Sequence, residues 1–169
     1  MPLAKHLHDD TSRAPPAWTP GLRHPLAYAL IVSQFEIVHT MTDYYDGPRG
    51  GIADFDGKPH LYESQFSDIV DDYTDIFHLS PVAFDIFPLA LEQWAIWLRW
   101  EAAYKQRETP LSTHPALPNE RVKYDELETI LEQALVIDES NFVAATAEFR
   151  NNETKLEVRW TPADQTKNR

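Results

Sequence analysis

Cysteine is absent from this 169-residue chain. No disulfide framework, thiolate nucleophile or cysteine-ligated zinc is available to it, and the absence leans towards a reducing compartment such as the cytoplasm. Glycine is scarce: there are five, and all but Gly21 fall between Gly47 and Gly57. None stands in a Gly-x-x-x-x-Gly-Lys-Ser/Thr loop or a Gly-x-Ser-x-Gly elbow, so neither phosphate cradling nor serine hydrolase chemistry is implied. Long apolar runs are missing as well. The longest, residues 26–32, is far below the roughly 20 residues a membrane helix requires, and the segment before it carries His6, Asp9, Asp10 and several prolines rather than a basic stretch. Neither a membrane span nor a signal peptide is expected. Basic residues are few, with 15 Lys and Arg against 27 Asp and Glu and a formal charge of -12. That balance repels phosphate backbones, which disfavours nucleic acid, and it favours a basic protein partner. A solvated acidic surface has the same composition.

What is present is the composition of an ordinary globular protein, 43% hydrophobic and 25% charged, with five Trp. The length suits one domain. Residues 1–33 contain Pro2, Pro15, Pro16, Pro20 and Pro25 with little periodicity and read as an irregular arm; residues 34–162 read as a single α+β domain and 163–169 as a polar tail. Phe35, Ile37, His39 and Met41 alternate with their neighbours as one face of a strand. Residues 52–55 and 58–64 predict two further strands joined by Asp56-Gly57, the dipeptide of a type I′ hairpin, with Phe55 opposite Lys58, Ala53 opposite His60 and Ile52 opposite Leu61. Residues 74–79 are a candidate fourth strand. Ser80-Pro81 reads as a helix start and Pro88 as a kink or restart. The nearly all-round apolar stretch 89–105 is expected to be central to the core or half of an interface. A second helix runs through Tyr124, Leu127, Leu131 and Leu135, with Asn119 as its candidate cap. Alternation resumes in Val143, Ala145, Ala147 and Phe149 and in Leu156, Val158 and Trp160, which predicts a hairpin through residues 151–154 with Phe149 opposite Leu156. The expected fold is therefore an antiparallel β-meander, two main helices and a C-terminal β-hairpin in one domain.

Chemistry-bearing residues concentrate in the glycine-bent segment Asp43-Tyr44-Tyr45-Asp46-Gly47-Pro48-Arg49-Gly50-Gly51. A small enzyme or ligand-binding protein would use Asp43 and Arg49 here with His39 and His60 from the flanking strands. A turn with Arg49 paired to a neighbouring Asp accounts for the same string. His39, His60 and His78, with Asp43 or Glu63, form a possible acid–base or metal cluster, but none has a ligand spacing such as His-Glu-x-x-His, so no metal and no cofactor is implied. His6-x-His8 lies in the irregular arm, and Asp54-x-Asp56-Gly57 lacks the later ligands of a calcium loop. Trp94, Trp97 and Trp100 fan over one side of their helix around Glu101; a carboxyl between indoles is a candidate general acid, and an ion pair with Lys105 one turn on is the simpler alternative.

From Asp43 to Asp75 the acids Asp43, Asp46, Asp54, Asp56, Glu63, Asp68, Asp71, Asp72 and Asp75 face only Arg49 and Lys58. Tyrosines are interleaved. Tyr44, Tyr45, Asp46, Asp71, Asp72 and Tyr73 are thus candidate contacts for a basic partner, the acids steering and the phenols supplying buried area. An acidic protein-binding module, such as an immunity or inhibitor protein that masks a basic effector, fits this pattern.

The strings Asp43-Tyr-Tyr-Asp-Gly-Pro-Arg49, Gly51-Ile-Ala-Asp-Phe-Asp-Gly-Lys-Pro-His60 and Gln93-Trp-Ala-Ile-Trp-Leu-Arg-Trp-Glu101 resemble those of a family of small hypothetical bacterial proteins. The resemblance covers the middle third of the chain. It implies a bacterial cytosolic origin and assigns no catalytic residue.

Overall fold

The computed structural model describes residues 34–42 and 47–163. Residues 1–33, expected as an irregular arm, residues 43–46 and residues 164–169 lie outside the described residues. Six strands are present: β1 Glu36–Thr42, β2 Gly50–Phe55, β3 Lys58–Ser67, β4 Asp72–Pro81, β5 Val143–Asn152 and β6 Lys155–Pro162. Each pairs antiparallel with the next, and β6 returns to β1 through Glu36↔Val158 and Ile37↔Glu157, which closes a barrel. The α+β class holds. The open meander with an appended hairpin does not, because the hairpin completes the circle and leaves no sheet edge along the closed rows.

Alternation predicts which residues share a face but not how the sheet curves. Curvature enters at breaks in register, between Val38 and Thr40 on β1 and between Ser64 and Phe66 on β3. The first break also moves the inward position of β1: Val38 packs against the interior, whereas Ile37, on the expected apolar face, is exposed. Gly51 makes the close approach of β1 and β2 possible. Its φ is +145°, and a Cβ there would stand 2.1 Å from the Thr40 carbonyl oxygen.

The interior is filled with large rings. Ala53, Tyr62, Phe77, Leu79, Ala145, Val158 and Trp160 form one buried cluster, and the Tyr62 ring meets Phe77, Phe149 and Trp160 at centroid separations of 6.1, 6.0 and 5.6 Å. Trp160 Nε1 donates to the Asp54 carbonyl at 2.9 Å. A six-stranded barrel is narrow, so aromatic side chains from alternate positions occupy it.

Turn chemistry follows the sequence closely at Asp56-Gly57. Both residues have positive φ, 54° and 67°, and the Phe55↔Lys58, Ala53↔His60 and Ile52↔Leu61 pairs are as predicted. The Glu36 carboxylate accepts the turn's two N–H groups at 3.0 and 2.8 Å. The C-terminal hairpin is corrected: Phe149 pairs with Val158 and Ala147 with Trp160, around a two-residue turn at Glu153 and Thr154. The expected register opposes Glu148 to Glu157. The observed one opposes Glu148 to Arg159 and Arg150 to Glu157, and both pairs form ion bridges. Either register keeps the apolar face inward, so cross-strand charge and turn length decide between them.

Helix starts are corrected too. Ser80 and Pro81 end β4, and the Ser80 hydroxyl accepts the Asp138 N–H at 2.9 Å instead of capping a helix. Helix α1 spans Phe87–Lys105, with Pro88 in its first turn. Pro88 thus opens the helix rather than kinking it, since a first-turn residue has no intrahelical partner for an N–H. Helix α2 spans Arg121–Ala134 and is preceded by Glu120, with no side-chain cap from Asn119. The Glu120 carboxylate instead takes the Arg99 guanidinium, binding α2 to α1.

The two helices form a layer outside the barrel. Ile52, on the outer face of β2, joins Ala90, Ile96, Ala116, Leu127 and Leu131 in a second buried cluster. α1 is not central: Leu91 and Leu98 are exposed, and its deeply buried indole is Trp100, whose Nε1 donates to Thr113 Oγ1 at 3.0 Å. Trp94 and Trp97 stack on one another at 4.8 Å and are only partly buried.

Candidate functional site

The residues singled out for catalysis are spread over the barrel. His60 projects inward from β3 beside Phe55 and is buried, with its ring Nδ1 2.8 Å from the Lys58 carbonyl. His39 sits at the β1 break and reaches the other face of the sheet, where its Nε2 lies 2.8 Å from Asp54 Oδ1 and its ring meets the edge of Phe87 from α1 at 5.0 Å. His78 is on the outer face of β4, stacked on Phe142 at 3.8 Å. Burial holds its pKa below the ordinary 6.5 against the pull of Glu139 and Glu63. Its Nδ1 is buried with no hydrogen bond to another described residue.

Arg49 immediately precedes β2, and its carbonyl accepts the Ser64 N–H at 2.7 Å. The ladder therefore places it across from Ser64, whereas His60 faces Ala53 further along the same two strands. Four residues of strand separate the two levels, about 13 Å at 3.3 Å per residue. The guanidinium lies over the Tyr73 ring at 5.1 Å, and its Nε is buried with no hydrogen bond to another described residue. Asp43 lies outside the described residues. Glu101 pairs with Lys105 at 2.8 Å, the simpler of its two readings. Among the described residues no group of three His, Asp or Glu stands close enough to hold a metal ion.

The acidic candidates, by contrast, come together. The β2–β3 ladder stops at Gly50↔Glu63 and the β4–β5 ladder at Ile76↔Thr146, so among the described residues the end of the β3–β4 hairpin pairs only with itself, through Phe66↔Tyr73 and Ser67↔Asp72. This end projects from the barrel. Asp71, with φ of 52°, turns the chain, and the Asp72 carboxylate accepts the Tyr73 N–H at 2.7 Å. Asp68, Asp71, Asp72 and Asp75 are all exposed. Between Lys58 and Arg99 the sequence has no Lys or Arg at all, so no cation from this stretch offsets them.

The structure adds residues that the sequence reading passed over. Phe66 and Tyr73 meet edge to face at 5.4 Å on this hairpin, and both are exposed. Ile69 is 96% exposed and Val70 66%, in a turn where polar residues are the rule. Their signal in the sequence is the string Phe66-Ser-Asp-Ile-Val-Asp-Asp-Tyr73, two large β-branched residues set between turn-forming aspartates. Tyr44, Tyr45 and Asp46, the other partner-binding candidates, lie outside the described residues. The strands that flank them end at Thr42 and resume at Gly50, on the side of the barrel from which the hairpin projects.

No helix among the described residues is long and apolar enough to cross a membrane. No protein-family model, no curated protein and no solved structure matches the chain.

Proposed function

We propose that this is an acidic protein-binding module that grips a basic partner with the projecting end of the β3–β4 hairpin, as an immunity or inhibitor protein masking a basic effector would. One observation carries the reading: Ile69 and Val70, with Phe66 and Tyr73, are exposed on the same hairpin as Asp68, Asp71, Asp72 and Asp75, none of which makes an ion pair with another described residue. Apolar anchors beside charges of one sign are the chemistry of a specific interface, because the charge orients the encounter and the anchors hold it. A merely solvated acidic turn needs no isoleucine at its tip. The closed, ring-filled barrel supplies the rigid base that such a protrusion requires.

The test is capture from the source cell lysate followed by binding kinetics on the retained partner. Asp71→Asn with Asp72→Asn slows association several-fold at low salt and has little effect at high salt, where screening over about 8 Å or less removes steering. Ile69→Ser with Val70→Ser speeds dissociation at either salt. Retention of the same partner with unchanged kinetics by both double variants overturns the proposal, and so does the absence of any partner at low ionic strength.

A further inference from the structure

The end of the barrel away from the acidic hairpin carries a groove of about 520 Å³. Its walls include Phe55, Pro59, Pro81, Val82, Phe84 and Phe87, contributed by the β2–β3 turn, the end of β4 and the start of α1. The volume falls within the roughly 300–1,000 Å³ typical of small-molecule sites, and the mix of apolar walls with few polar groups is also typical. Lys58 and Asp56 stand at its margin and offset one another's charge.

His60 supplies the one buried polar group of this lining. It is 9% exposed, and the edge of the Phe55 ring contact, 5.3 Å between centroids at 75°, fixes its plane. Its Nδ1 lies 2.8 Å from the Lys58 carbonyl, which can only accept, so in the neutral ring Nδ1 carries the proton and Nε2 keeps the lone pair. Nε2 has no hydrogen-bond partner among the described residues. Nε2 is not wholly buried, so a ligand in the groove can reach it, and one that brings a donor takes the place of water there. At the outer rim Phe84 is 95% exposed, a phenyl face that nothing in the described fold covers.

We propose that the groove binds a small neutral aromatic molecule with a single N–H or O–H donor, of the indole or phenol class. The ring lies against the phenyl walls and the donor bonds His60 Nε2. Charged ligands are disfavoured because the margin has no net charge and the interior offers no counter-ion. This site is independent of the hairpin reading, since its residues lie at the other end of β3.

The probes are indole and 1-methylindole, which differ in the donor. Each is titrated into the full chain, with the His60 imidazole followed by NMR and the heat by calorimetry. Indole gives a saturable shift at His60 and binds roughly fivefold more tightly than 1-methylindole, the ratio expected for one hydrogen bond. His60→Phe abolishes that preference. Phe84→Ala, a change at an exposed position that leaves the melting curve as in the wild type, weakens both ligands several-fold. The proposal fails if indole gives no saturable shift at millimolar concentration, if the two probes bind equally to the wild type, or if Phe84→Ala binds indole unchanged.

Discussion

Replacing Gly51 by alanine tests the geometry that closes the barrel. At φ of +145° the residue occupies a region that L side chains rarely adopt, and an added Cβ meets the Thr40 carbonyl oxygen at 2.1 Å, the Thr40 carbonyl carbon at 2.8 Å and the Met41 Cα at 3.0 Å. An ordinary C···O contact is about 3.3 Å or more, so β1 must retreat from β2 by more than roughly 1 Å. All three atoms belong to backbone, and no side chain can swing away to relieve the overlap. Backbone strain of this kind costs about 1–3 kcal/mol. Retreat of β1 also weakens the Thr40↔Ile52 and Thr42↔Gly50 pairings and the 3.0 Å bond from the Ile52 N–H to Thr40 Oγ1, at about 1 kcal/mol for each bond lost. A total of about 3–5 kcal/mol follows, a large share of the roughly 5–15 kcal/mol that holds a typical domain folded. The assay is urea denaturation followed by tryptophan fluorescence. Gly57→Ala is the internal control, since its φ is also positive, 67°, but nothing lies within 4 Å of the added Cβ. Its cost is about 1–2 kcal/mol. Equal losses for the two variants would refute the close-approach argument.

Trp100→Ala costs about 3–5 kcal/mol in urea melts because the ring is deeply buried, while Trp97→Ala costs clearly less because that indole is only partly covered. Arg150→Glu sets two acids opposite one another at Glu157 and lowers the urea midpoint, and Glu157→Arg in the same chain restores most of the loss. His78 makes stability fall with acid: its folded pKa lies below 6.5, so as pH drops below about 6.5 the unfolded chain takes up the proton first. Urea midpoints measured from pH 7 to pH 5 should show that decline, and His78→Gln should flatten it. Glu157, held below the ordinary 4.5 chiefly by its hydrogen bond from Arg150, contributes stability above about pH 4.5 that is lost as pH falls through its lowered pKa; Arg150→Met removes this part of the acid sensitivity.

Local features were legible wherever a single residue type decides the backbone. Asp56-Gly57 admits one tight turn, and that turn sets three cross-strand pairs at once. The strand at residues 74–79 and the two main helices are likewise visible as periodicity. The closure of the barrel was not, because it depends on register breaks near His39 and Gln65 that leave no mark in the alternation. Proline misled once: Pro81 and Pro88 are both suited to a first helical turn, and only the pairing of Pro81 with His60 across the sheet assigns it to β4. At the candidate sites, the acidic aspartates and Tyr73 were read from charge and composition, whereas Ile69 and Val70 were passed over because exposure is a property of the folded hairpin. The histidines show the opposite failure. His39 and His60 belong to the first and third strands, with β2 between them, and the break at His39 turns the two to opposite faces of the sheet.

The distribution of ion pairs bears on what the acidic hairpin is for. In the C-terminal hairpin Glu148 and Glu157 each meet an arginine across the strands, and those pairings coincide with the register. Between the helices Glu120 meets Arg99, and Glu92 lies 3.6 Å from Lys123. Acids in these places are matched by bases that the fold brings to them. The β3–β4 hairpin has the same need for register, and meets it differently, through the edge-to-face contact of Phe66 with its cross-strand partner Tyr73. Its aspartates make no cross-strand ion pair with another described residue, and their mutual repulsion opposes the turn they occupy. Such repulsion is tolerable on an exposed protrusion, where each pair interacts by no more than about 1 kcal/mol in water. On the proposed reading it becomes useful when a cationic surface approaches, because the same field then works in attraction beside the exposed Ile69 and Val70.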